Sequence, residues 1–210
     1  ATDRTSAFGG IISFNKQVDE ETASLIIKQF SEVIIAPSFS TKAIELLKQK
    51  GNLRLLVVPL GQDKDMYDYK KISGGLLVQS IDNHKINIDD CQIVSKAKPS
   101  EEQIMDMIFA WNVAKFVKSN AIVFCKSTRT IGVGAGQMSR IDSTKIAGIK
   151  AKNSGLNLSE SVVASDAFFP FRDGVDEIAK YGASCVIHPG GSMRDEEIIQ
   201  AANEHGLVMI

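Results

Sequence analysis

Residues able to do covalent or metal chemistry are scarce in this chain. Histidine occurs only as His84, His188 and His205, none in an H-E-x-x-H run or an H-x-E run with a C-x-x-C partner. Neither a zinc protease nor a zinc deaminase can be assembled from them. The three cysteines, Cys91, Cys125 and Cys185, are far apart and lack C-x-x-C spacing, which excludes a disulfide framework or structural zinc. They read as buried reduced thiols, Cys125 and Cys185 within expected strands. The G-x-S-x-G elbow of serine hydrolases is missing as well. No apolar run reaches membrane-spanning length, and no signal-peptide pattern occurs. With a formal net charge of −1 and no long basic block, nucleic acid is not an expected partner. These absences leave a soluble, cytoplasmic metabolic protein without metal as the expectation.

What is present is ample apolar material, 44% of 210 residues, enough for one globular domain or two small lobes. Gly10 to Phe14 reads as a strand. Asp19 to Phe30 reads as a helix, with Ala23, Ile26, Ile27 and Phe30 at i, i+3, i+4 and i+7. Val33 to Ala36 is a short buried strand, Ser40 caps a helix from Thr41 to Lys50, and Leu53 to Pro59 is another strand. This β-α-β-α-β order predicts a sheet with helices packed on it. Gly61 to Lys71 is polar and reads as a loop before a Leu76-Leu77-Val78 strand and a second polar stretch, the expected seam. Residues 1–95 are taken as a first, partial α/β lobe and 96–210 as a second.

In the second half, Ser100-Glu-Glu-Gln103 is a capping box opening a helix to about Lys118. Apolar residues on two of its faces predict burial on most sides, with Met107 and Trp111 in the core. Strands follow at 120–125, 162–164 and 184–187, and helices at 139–152, from Asp173 to Tyr181, and after Ser192-x-x-Asp195 with Ile198, Ile199 and Ala202 inward. The start at Ala1-Thr-Asp-Arg4 and the strand-like end Leu207-Val-Met-Ile210 suggest a domain fragment.

Three strand-to-helix turns in this half could carry chemistry. Gly132 to Arg140, G-V-G-A-G-Q-M-S-R, offers bare backbone, N–H groups aimed at an anion and Arg140 at the first helical position. It predicts an anionic ligand, most simply phosphate, or is turn punctuation alone. Its third glycine falls too early for the dinucleotide fingerprint, and no G-K-[ST] follows. Asp166-Ala-Phe-Phe-Pro-Phe-Arg-Asp173 holds three phenylalanines that can wall a slot for a planar heterocycle, while Asp173 can cap the next helix. His188-Pro-Gly-Gly-Ser192-Met-Arg194 lies where open α/β sheets place ligands, with His188 either a structural strand-end residue or a base.

At these residues the chain resembles the formyltransferase domain of the bifunctional AICAR transformylase/IMP cyclohydrolase family. The likeness runs through D-R-T-S-A-F-G-G (Asp3 to Gly10), V-I-I-A-P (Val33 to Pro37), K-S-N-A (Lys118 to Ala121), I-G-V-G-A-G-Q-M-S-R (Ile131 to Arg140), S-D-A-F-F-P-F-R-D (Ser165 to Asp173) and H-P-G-G-S-M-R-D (His188 to Asp195). The resemblance implies an α/β fold of cytidine-deaminase-like αβα layered lobes without zinc. It implies formyl transfer from the cosubstrate 10-formyltetrahydrofolate to AICAR ribonucleotide in IMP biosynthesis, in a homodimer with active sites at the dimer interface. Phe8, Gly9, Glu32, Asn120, Arg140 and Asp173 resemble nucleotide-binding positions, Asn120 also supporting catalysis. Ile141, Phe168, Ser192 and Met193 resemble folate-side positions.

The family's catalytic Lys-His pair lies in a K-H-x-N-P-C-G-type motif, and nothing like it occurs in these 210 residues. The family's Arg-Tyr pair, a further Arg after the last strand and the cyclohydrolase domain are missing too. The implied reading is a large transferase fragment that holds much of the binding site and not the general base, inactive by itself. Its rivals are a non-catalytic nucleotide-binding α/β module and a Rossmann-type dehydrogenase, the latter weakened by the glycine spacing.

Overall fold

Local capping chemistry sets the first helices. Asp19 accepts from Thr22 N at 2.9 Å to open α1 (Glu20–Ile26), and Ser40 accepts from Ala43 N at 3.2 Å to open α2 (Thr41–Leu47). Both helices are shorter than their apolar period suggests. After Ile26 and Leu47 the backbone tightens into i→i+3 bonds, such as Gln29 N to Ile26 O at 3.0 Å and Lys50 N to Leu47 O at 3.0 Å. The helices alternate with β1 (Gly10–Ser13), β2 (Ser31–Ala36) and β3 (Arg54–Val57), which pair in parallel in the order β1-β2-β3. Ile12, Ile34 and Leu55 are register partners and meet Ala23, Ile26, Ala43 and Leu47 of the helices in one core.

The computed structural model describes residues 7–61 and 66–210; Asp3 to Ser6 of the first motif and residues 62–65 of the expected loop lie outside the described residues. The rest of that loop is partly strand: β4 (Tyr67–Ile72) pairs antiparallel with β5 (Gly75–Ser80), from Tyr67 opposite Ser80 to Ile72 opposite Gly75. Its Asp and Lys residues give a polar reading, yet Tyr67 and Tyr69 alternate with Asp68 and Lys70, and the ladder with β5 supplies the backbone partners.

The chain divides into two compact units with the seam between His84 and Lys85. Residues 85–95, expected with the first lobe, belong to the second unit, where Ile86, Ile88 and Cys91 pack against its core.

That unit is built on a five-stranded sheet ordered β10-β9-β8-β6-β7, comprising β6 (Ile122–Lys126), β7 (Arg129–Gly134), β8 (Val162–Ser165), β9 (Cys185–Ile187) and β10 (Val208–Met209). β8, β9 and β10 run parallel, and β6 is antiparallel to both β7 and β8. Side-chain alternation divides the strands between two cores. Val123, Cys125, Ala164 and Ile187 pack with Met107, Ala110 and Ala114 of α3 (Glu101–Ala114). Ile122, Phe124, Val163 and Val186 face residues of α4 (Arg140–Asn153), α5 (Asp173–Lys180) and α6 (Asp195–Glu204) on the other side.

Helix α3 carries the expected capping box, Ser100 accepting from Gln103 N while the Gln103 side chain accepts from Ser100 N. As expected, it is buried or half-buried on most sides: only Glu101, Glu102, Met105 and Asn112, on one arc of the helix, are exposed, with Met107 in the core and Trp111 packed against it. The sheet covers one side, and Ile86, Ile88, Cys91 and Ala97 join the same apolar cluster.

Strand β7 is the element that reading strand, glycine turn and helix in sequence missed. Ser127 and Thr128 turn the chain with φ of 54° and 51°, and the carboxylate of Asp106 on α3 accepts from both their N–H groups at 2.9 and 2.6 Å. Gly132 and Gly134 therefore lie in a strand. Only residues 135–139 connect strand to helix. A Cβ on Gly134 would stand 1.8 Å from the backbone oxygen of Ser143, so this glycine permits α4 to lie directly on β7.

Candidate functional site

The close seat of α4 on β7 places Arg140 beside two loops of the second unit. Ser139 caps α4 by accepting from Asp142 N, and Arg140 is its first residue, as the sequence predicts. The guanidinium then makes three bonds: Nε to Ser165 Oγ at 2.9 Å, Nη1 to Asn120 Oδ1 at 2.8 Å and Nη2 to Asp166 Oδ1 at 3.1 Å. The Arg140 and Asp166 side chains are only 13% and 16% exposed. Asn120 is held on its other side as well, its Nδ2 donating to Gln137 O at 2.8 Å and its carbonyl accepting from Ser143 Oγ at 2.6 Å. Asp166 also accepts from Ala121 N at 3.0 Å. The result is a polar knot tying β6, β8 and α4 together at one end of the sheet.

The glycine run does not form an open anion cradle. Gly132 and Gly134 stand in the β7 ladder, and Gly136 N donates to Lys118 O at 2.8 Å. Arg140 is not a free cation either, because Asp166 pairs with it. Three of its five N–H donors are engaged by the bonds above, which leaves one on each terminal nitrogen for a ligand acceptor.

The aromatic loop divides sharply by residue. Phe169 is fully buried, its ring edge-on to His188 with centroids 5.4 Å apart. Phe168 and Phe171 are 42% and 47% exposed, and Arg194 lies over the Phe171 ring at 4.8 Å. Asp173 does not cap α5: it is that helix's first residue, exposed, and Arg172 occupies the cap position without a side-chain cap bond. Arg172 instead pairs with Asp176 at 3.0 Å and with Glu204 at 2.7 Å. These bonds, with His205 on Asp176 at 2.7 Å, hold the Asp176 carboxyl at about 2, below the usual carboxylate range.

The third turn is closed on itself. Gly190 N donates to His188 Nδ1 at 3.1 Å, the Asp195 carboxylate accepts from Gly191 N at 2.8 Å and from Ser192 N at 3.1 Å, and Ser192 Oγ accepts from Arg194 N. Ser192 is half-buried and Met193 fully exposed. Burial lowers the His188 pKa against the opposing pull of the Asp195 carboxylate, with a smaller push from Arg140, so the ring is neutral at pH 7 with one nitrogen committed to the turn. That favours the strand-end role of His188 over that of a base.

In the first unit, Phe8, Gly9 and Glu32 lie together. Gly9 has φ +70° and a Cβ there would be 3.2 Å from Glu32 Oε1, while the Phe8 ring, 77% exposed, rests on Phe30 at 4.7 Å. In the second, Asn120 and Arg140 are bonded to each other, and Ile141 is half-buried on the first turn of α4. Ser165, Asp166, Gln137 and Ser143 were not singled out from sequence. Asp166 carried one usable signal, an acid placed directly after a fully buried strand, where a charge needs a partner.

Burial pushes the Cys125 thiol up to about 12 and the Cys185 thiol up to about 11, which leaves neither a nucleophile at neutral pH. Among the described residues no cluster of three or more His, Cys, Asp or Glu could hold a metal ion, and no helix is long and apolar enough to cross a membrane.

A model of the family described as AICARFT/IMPCHase bienzyme matches residues 1–150. The chain belongs to this family. The family is one of folate-dependent formyltransferase and cyclohydrolase enzymes of purine biosynthesis. Its match includes Phe8, Gly9, Glu32, Asn120, Arg140 and Ile141 and ends before the aromatic loop and the His188 turn.

Proposed function

We propose that these residues bind the substrates for transfer of a formyl group from 10-formyltetrahydrofolate to the 5-amino group of AICAR ribonucleotide, giving FAICAR on the way to IMP. The observation that carries this is the Arg140–Asn120–Asp166 knot, of which Arg140, closing the I-G-V-G-A-G-Q-M-S-R motif, and Asn120 lie within the family match and Asp166 beyond it. An aromatic amine is a poor nucleophile, so the reaction needs two aligned substrates, donors for the developing oxyanion and a proton acceptor near the amine. In the second unit Arg140 and Asn120 provide preorganised donors and an acceptor for the nucleotide, with Asp173 as a further nucleotide-binding position; Phe8, Gly9 and Glu32 are the nucleotide-binding positions of the first unit. Phe168, Met193, Ser192 and Ile141 form the folate side, and the accessible faces of Phe168 and Met193 suit a planar pterin.

The proton acceptor is the one part we do not assign to these residues, since no K-H-x-N-P-C-G-type motif occurs among them. The same observation favours a second reading, a nucleotide-binding module without catalysis, and turnover separates the two. We further propose cytidine-deaminase-like layering of the lobes, consistent with a sheet covered on both faces in the second unit, together with a cytoplasmic homodimer. The cyclohydrolase activity of the family resides outside these 210 residues in this reading.

Calorimetry tests the nucleotide role. Arg140→Ala is expected to weaken AICAR ribonucleotide binding by roughly 1.5–3 kcal/mol, the range for charge-assisted hydrogen bonds, and to change folate binding far less. An unchanged nucleotide Kd refutes the assignment. For the folate side, Phe168→Ala is expected to weaken folate binding with a stability change under about 1 kcal/mol, because a part-exposed loop ring leaves no closed cavity. A loss of about 3–5 kcal/mol in a urea melt, the cost of truncating a core Phe such as Phe169, with folate affinity intact would remove Phe168 from the site.

A further inference from the structure

We propose that Asp166 is the positioning residue for Arg140 in nucleotide binding: it touches no ligand itself and fixes the guanidinium in the one pose that offers an N–H from each terminal nitrogen. This rests on the reading of Arg140 as a nucleotide contact. A long, flexible side chain at the first turn of a helix has several rotamers open to it, and ordering it on ligand binding costs rotamer entropy. In this fold that cost is met before any ligand arrives. Nη2 is held by Asp166 Oδ1 at 3.1 Å, and Asp166 is itself held by Ala121 N at 3.0 Å, which follows directly on Asn120. One carboxylate oxygen therefore couples the two ligand-facing side chains, Arg140 and Asn120, through positions far apart in sequence.

The low exposure of both partners makes the bond more than a surface ion pair. A competing role for Asp166 has the opposite signature. If it served only to neutralise Arg140, removing its charge would free the guanidinium for an anionic ligand and tighten binding. If it positions Arg140, the same change loosens the guanidinium and weakens binding. Asp166→Asn keeps an acceptor for Ala121 N while removing the charge that holds Arg140.

The test is titration of the 210-residue chain with AICAR ribonucleotide in four forms: wild type, Asp166→Asn, Arg140→Ala and the double variant. The expected result is about tenfold weaker binding for Asp166→Asn, and no further loss when the same change is made on Arg140→Ala, since the residue acts only through Arg140. Unchanged or tighter binding by Asp166→Asn overturns the proposal, as does an equal loss in the Arg140→Ala background, which marks a general structural role. If Arg140→Ala binds like wild type, or the wild type binds no nucleotide, the underlying reading of Arg140 has failed and takes the proposal with it. Asp166→Glu, which keeps the charge on a longer side chain, is expected to lose less than Asp166→Asn and carries the measurement if the Asn variant does not fold.

Discussion

Gly134→Ala is expected to cost at least about 3 kcal/mol of folding free energy, at or beyond the upper end of the usual range for overpacked cores. The added Cβ would stand 1.8 Å from the Ser143 oxygen and 2.4 Å from its carbonyl carbon, both backbone atoms of α4. No rotamer change relieves such a clash, so α4 must lift from β7. Because Arg140 opens α4 and Ser143 bonds to Asn120, the same displacement breaks the polar knot. Gly51→Ala is the control, since a Cβ there meets nothing within 4 Å. Paired urea melts decide the matter, and equal midpoints for the two variants would show that α4 does not need the strand so close.

The second large effect concerns turnover. The purified 210-residue chain is expected to transfer formyl groups at least 10²-fold more slowly than a family member with its Lys-His pair, because a positioned general base typically contributes 10²-fold to 10⁴-fold. The residue best placed to replace it is His188, a neutral imidazole within electrostatic reach of Arg140. Its Nδ1 accepts from Gly190 N, and its ring is packed on Phe169, so it serves the turn. Full-rate transfer by the isolated chain would be fatal to this view of where the proton goes. If that activity also disappeared in a folded His188→Ala variant, His188 would be the base.

Much of the architecture could be read from residues whose effects are local. Ser40, Ser100 and Ser139 cap their helices through bonds spanning three residues, so their positions needed no knowledge of the rest of the fold. The buried strands at 122–126, 162–165 and 185–187 declared themselves by continuous apolar composition, as strands covered on both faces do. The motifs around Arg140 pointed to the family through residue identity and order alone. Asp173 reads from sequence as able to cap α5, yet it is the first helical residue, because acids also occupy first-turn positions, where the helix dipole favours them without a cap bond.

The sequence by itself determined which residues could form elements and where most helices begin. Tertiary structure alone decided that Tyr67–Ile72 and Arg129–Gly134 are strands, since their ladders depend on partners that local pattern does not identify. It also turned Gly132 and Gly134 from an expected ligand cradle into a packing surface for α4. The pairing of Arg140 with Asp166 was decided at the same level. Arg140 reads from sequence as the first residue of a helix beside an expected anion, and it meets Asp166 only because β6, β8 and α4 converge. That pairing joins residues too far apart in the chain for periodicity or capping rules to connect, and it depends on backbone close approach at a glycine whose missing side chain leaves no pattern to read.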